Sequence, residues 1–324
     1  MKKIVSIVIA AVCVAALVFL AYRFASTPEE TQNPMPAEES QTQTPPEAES
    51  NLPVEENVIQ ESEIQGELST EAPAEEPQST GKSVIGKSVQ SRDITAYHFG
   101  GGSEEILFVG GIHGGYAWNT ARLAYQLIDY LTAHPEEIPA NAKITIIPVL
   151  NPDGLAKVVD KTGMFNAADV STSADTAAAR FNANNVDLNR NFDCNWQPKG
   201  IWRQKEVSAG SAAFSEPESA AIRDYVLKNK PAAVVFWHSQ SNAVYGSMCN
   251  ADMSDETRAI LNAYAKASGY PAKDTFDQYQ VSGDATDWLA SIGIPAITVE
   301  LAAHQNIEWQ KNLAGINALF QYFK

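Results

Sequence analysis

Short apolar runs alternate with helix-periodic segments between residues 82 and 324. Apolar runs bounded by glycine, proline or polar residues predict buried strands. These runs are Ile106–Val109, Ile144–Leu150, Ala233–Trp237 and Ala296–Val299. Segments with apolar residues every three or four positions predict helices at Trp118–Ala133, Glu216–Leu227, Glu256–Ala267, Thr286–Ile292 and Ile307–Tyr322. The pattern also predicts an edge hairpin formed by Lys87–Ser91 and Ile94–Phe99.

This alternation predicts one α/β domain over residues 82–324, because strands separated by helices form a mixed, mostly parallel sheet. Helices are expected on both faces of that sheet. Ser215 is the predicted cap of the helix that starts at Glu216, and Pro217 fits its first turn. In open α/β sheets, functional sites form where strands end.

The N-terminus has a different pattern. Two lysines precede 19 uncharged residues, Ile4–Tyr22, and Arg23 follows. This apolar stretch is long enough to span a bilayer and lacks a clear signal-cleavage site, which favours a membrane anchor over residues 1–26. A cleaved signal is the alternative. With either, the remainder of the chain is expected outside the cytoplasm, anchored to the membrane or secreted.

Residues 27–81 contain 14 glutamates and eight prolines, with no lysine, arginine or aromatic residue. Such a segment buries too little apolar surface to fold, so it is predicted to be a disordered linker. The linker also carries most of the net charge, −14 of the −16 of the 324-residue chain. The overall acidity argues against nucleic-acid binding, while the domain itself has a net charge of only −5.

Candidate chemistry lies at three strand ends. His113 follows the first apolar run, His238 follows the third, and Glu300 lies at the end of the fourth. Imidazole and carboxylate groups are the ligands of catalytic zinc. Each residue alone is a weak signal, since a single histidine after a strand is more often a structural residue. Glu300 is unusual in an apolar strand, because burying an unpaired carboxylate is costly.

Between the two histidines, Asn189 and Arg190 are adjacent in a polar segment, and Arg180 precedes them. An arginine binds a carboxylate through two parallel hydrogen bonds, so this group is a candidate anion site. A surface ion pair at Arg190 is the ordinary alternative.

Several motifs occur in order along the chain: GGIHGG after a strand, NPDG, RxNANxVDLNRNF, FSEPE, a strand ending in HSQ, YQVSGDATDW and a strand ending in VEL. In these motifs, residues 105–320 resemble the zinc carboxypeptidases of the carboxypeptidase A/B type. The resemblance implies a sheet of about eight strands and one bound zinc ion. It also implies hydrolysis of a peptide that has a free C-terminal carboxylate.

The resemblance implies a role for each matching residue. His113 and His238 would bind zinc, with Asp187 orienting His113. Glu300 would be the general base, and Arg180 would stabilise the oxyanion. The substrate-binding residues would be Asn189 and Arg190 for the terminal carboxylate, Tyr279 as a cover over it, and Thr286 in the side-chain pocket.

One part of the family pattern is missing. The third metal ligand is a glutamate three residues after the first histidine, or one position later in bacterial relatives, and Tyr116 and Ala117 occupy those positions. Three explanations are open: a carboxylate from elsewhere completes the site, a weaker zinc site still functions, or the chain binds peptide C-termini without cleaving them. Asp153 is a candidate for the first, although a role in the NPDG turn is the stronger expectation.

Other expectations are less specific. Thr286, with Asp284 nearby, predicts a broad pocket for apolar and basic terminal side chains. Some bacterial relatives act on cell-wall peptides, so these are candidate substrates. The domain is expected to be a monomer. Cys194 and Cys249 either pair as a disulfide, as export would allow, or remain buried thiols.

Overall fold

The computed structural model describes residues 81–324. The predicted anchor segment and all of the predicted linker except Gly81 lie outside the described residues. Among residues 81–324, no helix is both long enough and apolar enough to cross a bilayer.

Eight strands form one sheet in the order β1-β2-β4-β3-β7-β10-β8-β9. The strands are β1 Gly81–Lys87, β2 Asp93–Phe99, β3 Glu104–Val109, β4 Ala142–Ile147, β7 Ala233–Ser239, β8 Ala243–Tyr245, β9 Ala272–Lys273 and β10 Ala296–Leu301. Strands β5 (Lys199–Trp202) and β6 (Lys205–Ser208) form a separate antiparallel hairpin. The central pairings β4–β3, β3–β7 and β7–β10 are parallel, whereas the β1–β2, β2–β4 and β10–β8 pairings are antiparallel. The predicted mixed sheet is confirmed.

Six α-helices are present in the described part of the chain. They are α1 Trp118–Ala133, α2 Pro152–Ala156, α3 Pro217–Asn229, α4 Asp255–Ser268, α5 Ala285–Ser291 and α6 Trp309–Tyr322. The five predicted helices are confirmed with ends shifted by at most two residues. Short 3₁₀ turns include Ala178–Arg180 and Leu188–Arg190, which carry polar residues of the candidate site.

The sheet separates two hydrophobic cores, because alternate residues of its central strands point to opposite faces. Ile106 and Phe108 of β3 pack into the core that contains side chains of α1, α4 and α6. Leu107 and Val109 pack into the second core, with side chains of α3 and α5. Helices therefore cover both faces, as predicted, and both faces of the central strands are buried.

Three local predictions were wrong. The first strand of the edge hairpin is Gly81–Lys87 and not Lys87–Ser91, because residues 88–91 form the turn, with backbone hydrogen bonds from Ser88 to Arg92 and from Ser91 to Ser88. The strand predicted to reach Leu150 ends at Ile147, because Pro148 has no backbone N–H to continue the ladder. The cap of α3 is Glu216 and not Ser215, since Pro217 takes the first helical position, and no side chain makes a capping hydrogen bond there. Ser215 instead donates from Oγ to Glu216 Oε1 over 2.9 Å.

Cys194 and Cys249 form a disulfide, which decides between the two alternatives left open by the sequence. Cys194 is buried in the second core and follows the segment that contains Asn189 and Arg190. Cys249 follows β8, so the bond joins the polar segment to the far edge of the sheet.

Replacing both cysteines by serine is expected to lower the free energy of unfolding by about 2–4 kcal/mol, because the bond restricts the unfolded chain. Urea denaturation of the full chain measures this difference. Native protein with a reductant is the matched control and should unfold at the same urea concentration as the double variant. Equal stability of native and variant proteins without reductant would contradict the prediction.

Candidate functional site

Three adjacent parallel strands, β3, β7 and β10, end at one edge of the sheet and bring the predicted chemistry together. His238 is in β7 and pairs in register with Glu300 of β10. His113 lies four residues beyond the end of β3. All three side chains line one cavity of about 230 Å³.

The loop that positions His113 depends on glycine. Gly111 and Gly114 have φ values of +61° and +45°, which side chains rarely adopt. A Cβ atom on Gly114 would also lie 2.8 Å from the carbonyl oxygen of Ala179 and 2.7 Å from Cα of Gly154. The GGIHGG sequence therefore lets this loop pass close to neighbouring backbone and direct His113 into the cavity.

The two imidazoles are buried and close together, with ring centroids 4.9 Å apart. Burial lowers the pKa of His113 well below its ordinary value and lowers the pKa of His238 to about 4. Both rings are therefore neutral near pH 7, which is the form that binds metal. Nδ1 of His113 lies 3.5 Å from Oδ1 of Asp187 and has no hydrogen-bond partner. Asp187 is thus beside His113, as the family pattern requires.

The fit of these residues to zinc is incomplete. Two buried, neutral imidazoles supply two of the three protein ligands of a catalytic zinc site. Within residues 81–324, no three His, Cys, Asp or Glu side chains are arranged to hold a metal. The Tyr116 hydroxyl accepts a hydrogen bond from Arg203 Nη2 over 2.9 Å, and Ala117 is buried before α1. The two positions named by the family pattern therefore offer no carboxylate.

Asp153 does not complete the candidate metal site, and its side chain stabilises a turn other than the NPDG turn in which it was expected to act. Its Oδ1 accepts hydrogen bonds from Ser88 Oγ and Arg92 Nη1, at 2.7 and 2.6 Å. Its Oδ2 accepts from the backbone N–H of Gln90 at 2.9 Å. Asp153 therefore anchors the turn between β1 and β2, while Asn151 caps the helix formed by the NPDG segment.

Glu300 has the properties expected of a proton acceptor. Burial raises its pKa to about 8, an effect that the positive charge of Arg180 partly opposes. Its Oε2 atom is buried and has no hydrogen-bond partner. A carboxyl group with an uncommitted oxygen and a pKa near neutrality is suited to receiving and returning a proton.

Arg180 is held in place by an ion pair and by aromatic rings. Its Nε donates to Oδ2 of Asp187 over 2.8 Å, and both side chains are almost fully buried. Its guanidinium carbon lies 4.8 Å from the centroid of the Trp202 ring and 5.6 Å from that of Tyr116. Because Nε alone is used by Asp187, the terminal nitrogens remain available to the cavity that Arg180 lines.

Asn189 and Arg190 also line the cavity, although internal hydrogen bonds use part of their capacity. Arg190 donates from Nε and Nη2 to the carbonyl oxygen of Ile201, and from Nη1 to that of Asn189. A guanidinium has five N–H groups, so one remains on each terminal nitrogen. Asn189 donates one N–H to Asp284 and keeps a second. These remaining donors suit the two oxygens of a carboxylate.

The predicted pocket residues lie in the same cavity. Tyr279 is partly buried, with its ring centroid 6.0 Å from the guanidinium carbon of Arg190. Thr286 donates from Oγ1 to Asp284 over 2.7 Å. Asp287, which sequence reasoning did not assign, is in the cavity wall beside Thr286. Burial and the negative charge of Asp284 raise the pKa of Asp287 to about 7.

Three more residues were not identified by sequence analysis, because their segments carry no recognisable signal. The β5–β6 hairpin places Trp202 and Arg203 in the cavity wall beside Tyr116. His304 packs edge-to-face against Tyr116, with ring centroids 4.5 Å apart and an interplanar angle of 63°. Burial lowers the pKa of His304 to about 4, and the positive charge of Arg203 makes a smaller contribution in the same direction. A single histidine in a polar loop and a four-residue strand give no periodicity from which to predict such contacts.

Comparisons with known proteins bear on the family and on the fold. Residues 68–318 match the model of the family described as zinc carboxypeptidase. A gamma-D-glutamyl-L-diamino acid endopeptidase from Lysinibacillus sphaericus is 24% identical over 68% of this chain and 60% of its own length. The chain therefore spans less than two thirds of that curated relative.

Solved structures share the fold. The murein-tripeptide amidase of Escherichia coli O157 superimposes with a TM-score of 0.53 at 20% identity, covering 76% of this chain and 93% of that one. Bovine thrombin-activatable fibrinolysis inhibitor, in complex with tick carboxypeptidase inhibitor, gives a TM-score of 0.58 at 20% identity, covering 75% and 88%.

Replacing Gly283 by alanine is expected to destabilise the protein more than the same change at Gly269. Both glycines have positive φ, +63° and +76°, so alanine costs each about 1–2 kcal/mol. At Gly283 the new Cβ would also overlap the carbonyl oxygen of Arg190, whereas nothing lies within 4 Å at Gly269. Overpacking should add about 1–3 kcal/mol. Chemical denaturation of both variants measures the difference in the free energy of unfolding. Equal losses of stability would show that Gly283 does not pack closely against the backbone of Arg190.

Proposed function

The chain belongs to the zinc carboxypeptidase family, and we propose that it is a zinc-dependent metallocarboxypeptidase that removes the C-terminal residue of peptides or of cell-wall peptides. One observation carries this proposal. Two buried imidazoles, a carboxyl group with an uncommitted oxygen and an arginine with two free N–H groups line the same cavity. These groups could bind a metal, transfer a proton and hold a terminal carboxylate.

In this proposal, His113 and His238 would hold zinc, and the bound metal would supply Lewis-acid polarisation. Glu300 accepts a proton from the attacking water on its uncommitted oxygen and returns it to the leaving amine. Arg180 donates from its terminal nitrogens to the developing oxyanion, while Asp187 and the Trp202 ring hold its guanidinium in position.

Substrate binding depends on the neighbouring turn. Arg190 donates its two remaining N–H groups to the terminal carboxylate, and Asn189 supplies a further donor. Tyr279 closes over the bound terminus. The terminal side chain enters the region lined by Thr286 and Asp287, which offers one hydroxyl group and one carboxyl group. This composition favours apolar and basic side chains over acidic ones.

Two relatives guide the choice of substrate. One is a gamma-D-glutamyl-L-diamino acid endopeptidase, and a solved structure with the same fold is a murein-tripeptide amidase. A diamino acid carries an amino group that Asp287 could attract. We therefore include peptides ending in a diamino acid among the substrates to be tested. The proposed location is outside the cytoplasm, with residues 4–22 as an anchor or signal and the domain as a monomer.

A second function is favoured by the missing glutamate. Ala117 stands where bacterial relatives have a ligand, and the described residues contain no three-ligand cluster. The carboxylate-binding groups do not depend on that ligand. The alternative is thus a binding module that recognises peptide C-termini without cleaving them.

Hydrolysis by the full chain should require a free terminal carboxylate. A peptide ending in a carboxylate should be cleaved, whereas the same peptide with a C-terminal amide should resist, because Arg190 then lacks its ionic partner. Glu300→Gln should lower kcat by about 10²–10⁴-fold through loss of the proton acceptor. Chelation should abolish cleavage and added zinc should restore it. Mass spectrometry of the released terminal residue measures each of these results.

Other outcomes separate the two functions. Binding of the carboxylate peptide by calorimetry without cleavage, together with cleavage by Ala117→Glu, would support the binding module. Equal cleavage of the carboxylate and amide peptides would contradict both proposals.

The preference between basic and apolar termini should depend on pH. Asp287, with its pKa raised to about 7, is neutral below that pH and negatively charged above it. The ratio of kcat/KM for peptides ending in lysine and phenylalanine should therefore increase from about pH 5.5 to about pH 8.5, while lysine stays charged. A partly exposed ion pair contributes about 1 kcal/mol, or roughly fivefold.

Asp287→Asn is the matched control and should give a ratio that does not change with pH. A native ratio that is flat or falls as pH rises would exclude this role of Asp287. A strict preference for peptides ending in glutamate would exclude the proposed pocket.

A further inference from the structure

We infer that Arg203 and Tyr116 form a second carboxylate-binding subsite in the cavity, which selects peptides whose penultimate residue is acidic. This inference rests on the proposed function, because it names the residue on the acyl side of the bond that is cleaved. Both side chains line the cavity that also contains His113, His238 and Glu300. Neither has a role in the proposed cleavage step.

The Arg203 guanidinium has most of its hydrogen-bonding capacity unused. It donates from Nη2 to the Tyr116 hydroxyl over 2.9 Å, which uses one of its five N–H groups. The acid of the same hairpin, Glu206, pairs with Lys199 over 2.6 Å. In the described part of the chain Arg203 pairs with no carboxylate, unlike Arg92, Arg180, Arg223 and Arg258. The other N–H groups of Arg203 can therefore bind an anion that enters the cavity.

Tyr116 adds a donor to the same subsite. Arginine N–H groups only donate, so the Tyr116 oxygen accepts the hydrogen bond from Arg203 and its own proton remains available. Within residues 81–324, the Tyr116 hydroxyl makes no other hydrogen bond. A guanidinium and a phenol O–H that are already in contact can together bind the two oxygens of one carboxylate.

Packing and backbone conformation hold this pair at the cavity wall. The buried Trp202 ring contacts the Tyr116 ring edge-to-face, with centroids 5.0 Å apart. The guanidinium carbon of Arg203 lies 5.7 Å from the centroid of the same Trp202 ring, within the range of a cation–π contact. Arg203 itself has a φ of +57° at the turn of the β5–β6 hairpin, a conformation that side chains rarely adopt. The hairpin and the indole ring therefore define the position of the guanidinium.

The position of the subsite assigns it to the penultimate residue. The guanidinium carbon of Arg180 lies 5.6 Å from the centroid of the Tyr116 ring. In the proposed function Arg180 binds the oxygen of the scissile carbonyl, which belongs to the penultimate residue. The terminal side chain enters the region of Thr286 and Asp287, whose hydrogen bonds within residues 81–324 do not include Arg203 or Tyr116. A side-chain carboxylate at Arg203 therefore comes from the penultimate residue.

Electrostatics also favours an anion at this position. Arg180 and Arg203 both lie against the Trp202 ring, with guanidinium carbons 4.8 and 5.7 Å from its centroid. Asp187 compensates the charge of Arg180, whereas Arg203 has no such partner among the described residues. A carboxylate bound beside this ring would be attracted by both positive charges. Because Arg203 is exposed, water and salt limit the gain.

A pair of substrates tests the inference with the full chain. One peptide has glutamate at the penultimate position and the other has glutamine, and both end in phenylalanine with a free carboxylate. The native protein should cleave the glutamate peptide with a kcat/KM about fivefold higher, the effect of an exposed ion pair. This preference should decrease as sodium chloride is raised from about 0.01 M to about 1 M, because salt screens exposed charges.

Variants separate the subsite from a general effect of charge. Arg203→Gln should give the two peptides equal kcat/KM, and Arg203→Lys should retain part of the preference. Tyr116→Phe keeps the ring and should reduce the preference by about two- to threefold, through the loss of one hydrogen bond. Lys205→Gln is the matched control and should keep the native preference, because it removes the same charge from an exposed position of the same hairpin outside the cavity.

Calorimetry measures binding of the same two peptides without hydrolysis when Glu300 is replaced by glutamine. Glu300→Gln should bind the glutamate peptide about fivefold more tightly than the glutamine peptide. Adding Arg203→Gln should remove this difference. Circular dichroism verifies that each variant is folded.

The outcomes distinguish the subsite from the proposed function. Cleavage of both peptides with equal kcat/KM by native protein would overturn the inference and leave the proposed hydrolysis intact. An equal loss for both peptides in Arg203→Gln would also overturn it, since Arg203 would then act on a part that the peptides share. Tighter binding of the glutamate peptide without any cleavage would support the subsite and contradict the proposed hydrolysis. If neither peptide is bound or cleaved, both fail.

Discussion

The buried carboxylate of Asp187 holds the candidate site together. It accepts from Arg180 Nε and from the backbone N–H of Asn189, and it lies 3.5 Å from His113. One fully buried group therefore positions the proposed oxyanion donor and the turn proposed to bind a carboxylate, and it lies beside a proposed metal ligand. Removing one partner from a buried ion pair typically costs about 3–5 kcal/mol, because the other charge is left unpaired. Asp187 thus couples the stability of the domain to the geometry of its site.

The parallel register of the central sheet provides the second half of that geometry. His238 and Glu300 face the same cavity because β7 and β10 pair in register, and adjacent parallel strands end at the same edge. The loop that carries His113 leaves the neighbouring β3. Since both faces of these strands are buried in hydrophobic cores, their positions resist displacement. A site at this edge combines rigid strand ends with loops that can differ between relatives.

Much of this organisation could be predicted from the sequence. The central strands are continuous apolar runs because both of their faces are buried. The long helices bury one face, so their apolar residues recur periodically, and both patterns locate these elements in the sequence. The candidate residues followed from motifs in order along the chain. The short strands β8 and β9 were not predictable, because three or two residues carry no period. Disulfide pairing required the proximity of residues 55 positions apart.

Other features depend on contacts that no local pattern encodes. The hydrogen bonds of Arg190 to the carbonyl oxygen of Ile201 use donors that the motif alone would assign to substrate. The role of Asp153 depends on a hairpin more than 60 positions earlier. His304 is a single histidine in a polar loop, and it contacts Ser239 and Tyr116, which come from distant parts of the sequence.

The absence of a carboxylate at positions 116 and 117 changes the charge of the proposed metal site, and this change bears on Glu300. Burial raises the pKa of Glu300 to about 8, so without metal the group is largely protonated at neutral pH. A general base must be ionised, which requires positive charge nearby. Two neutral imidazoles would leave both charges of a zinc ion uncompensated by ligands, whereas a glutamate ligand would cancel one. A site held by His113 and His238 without a glutamate would thus lower the pKa of Glu300 further, and favour its proposed role as proton acceptor near pH 7.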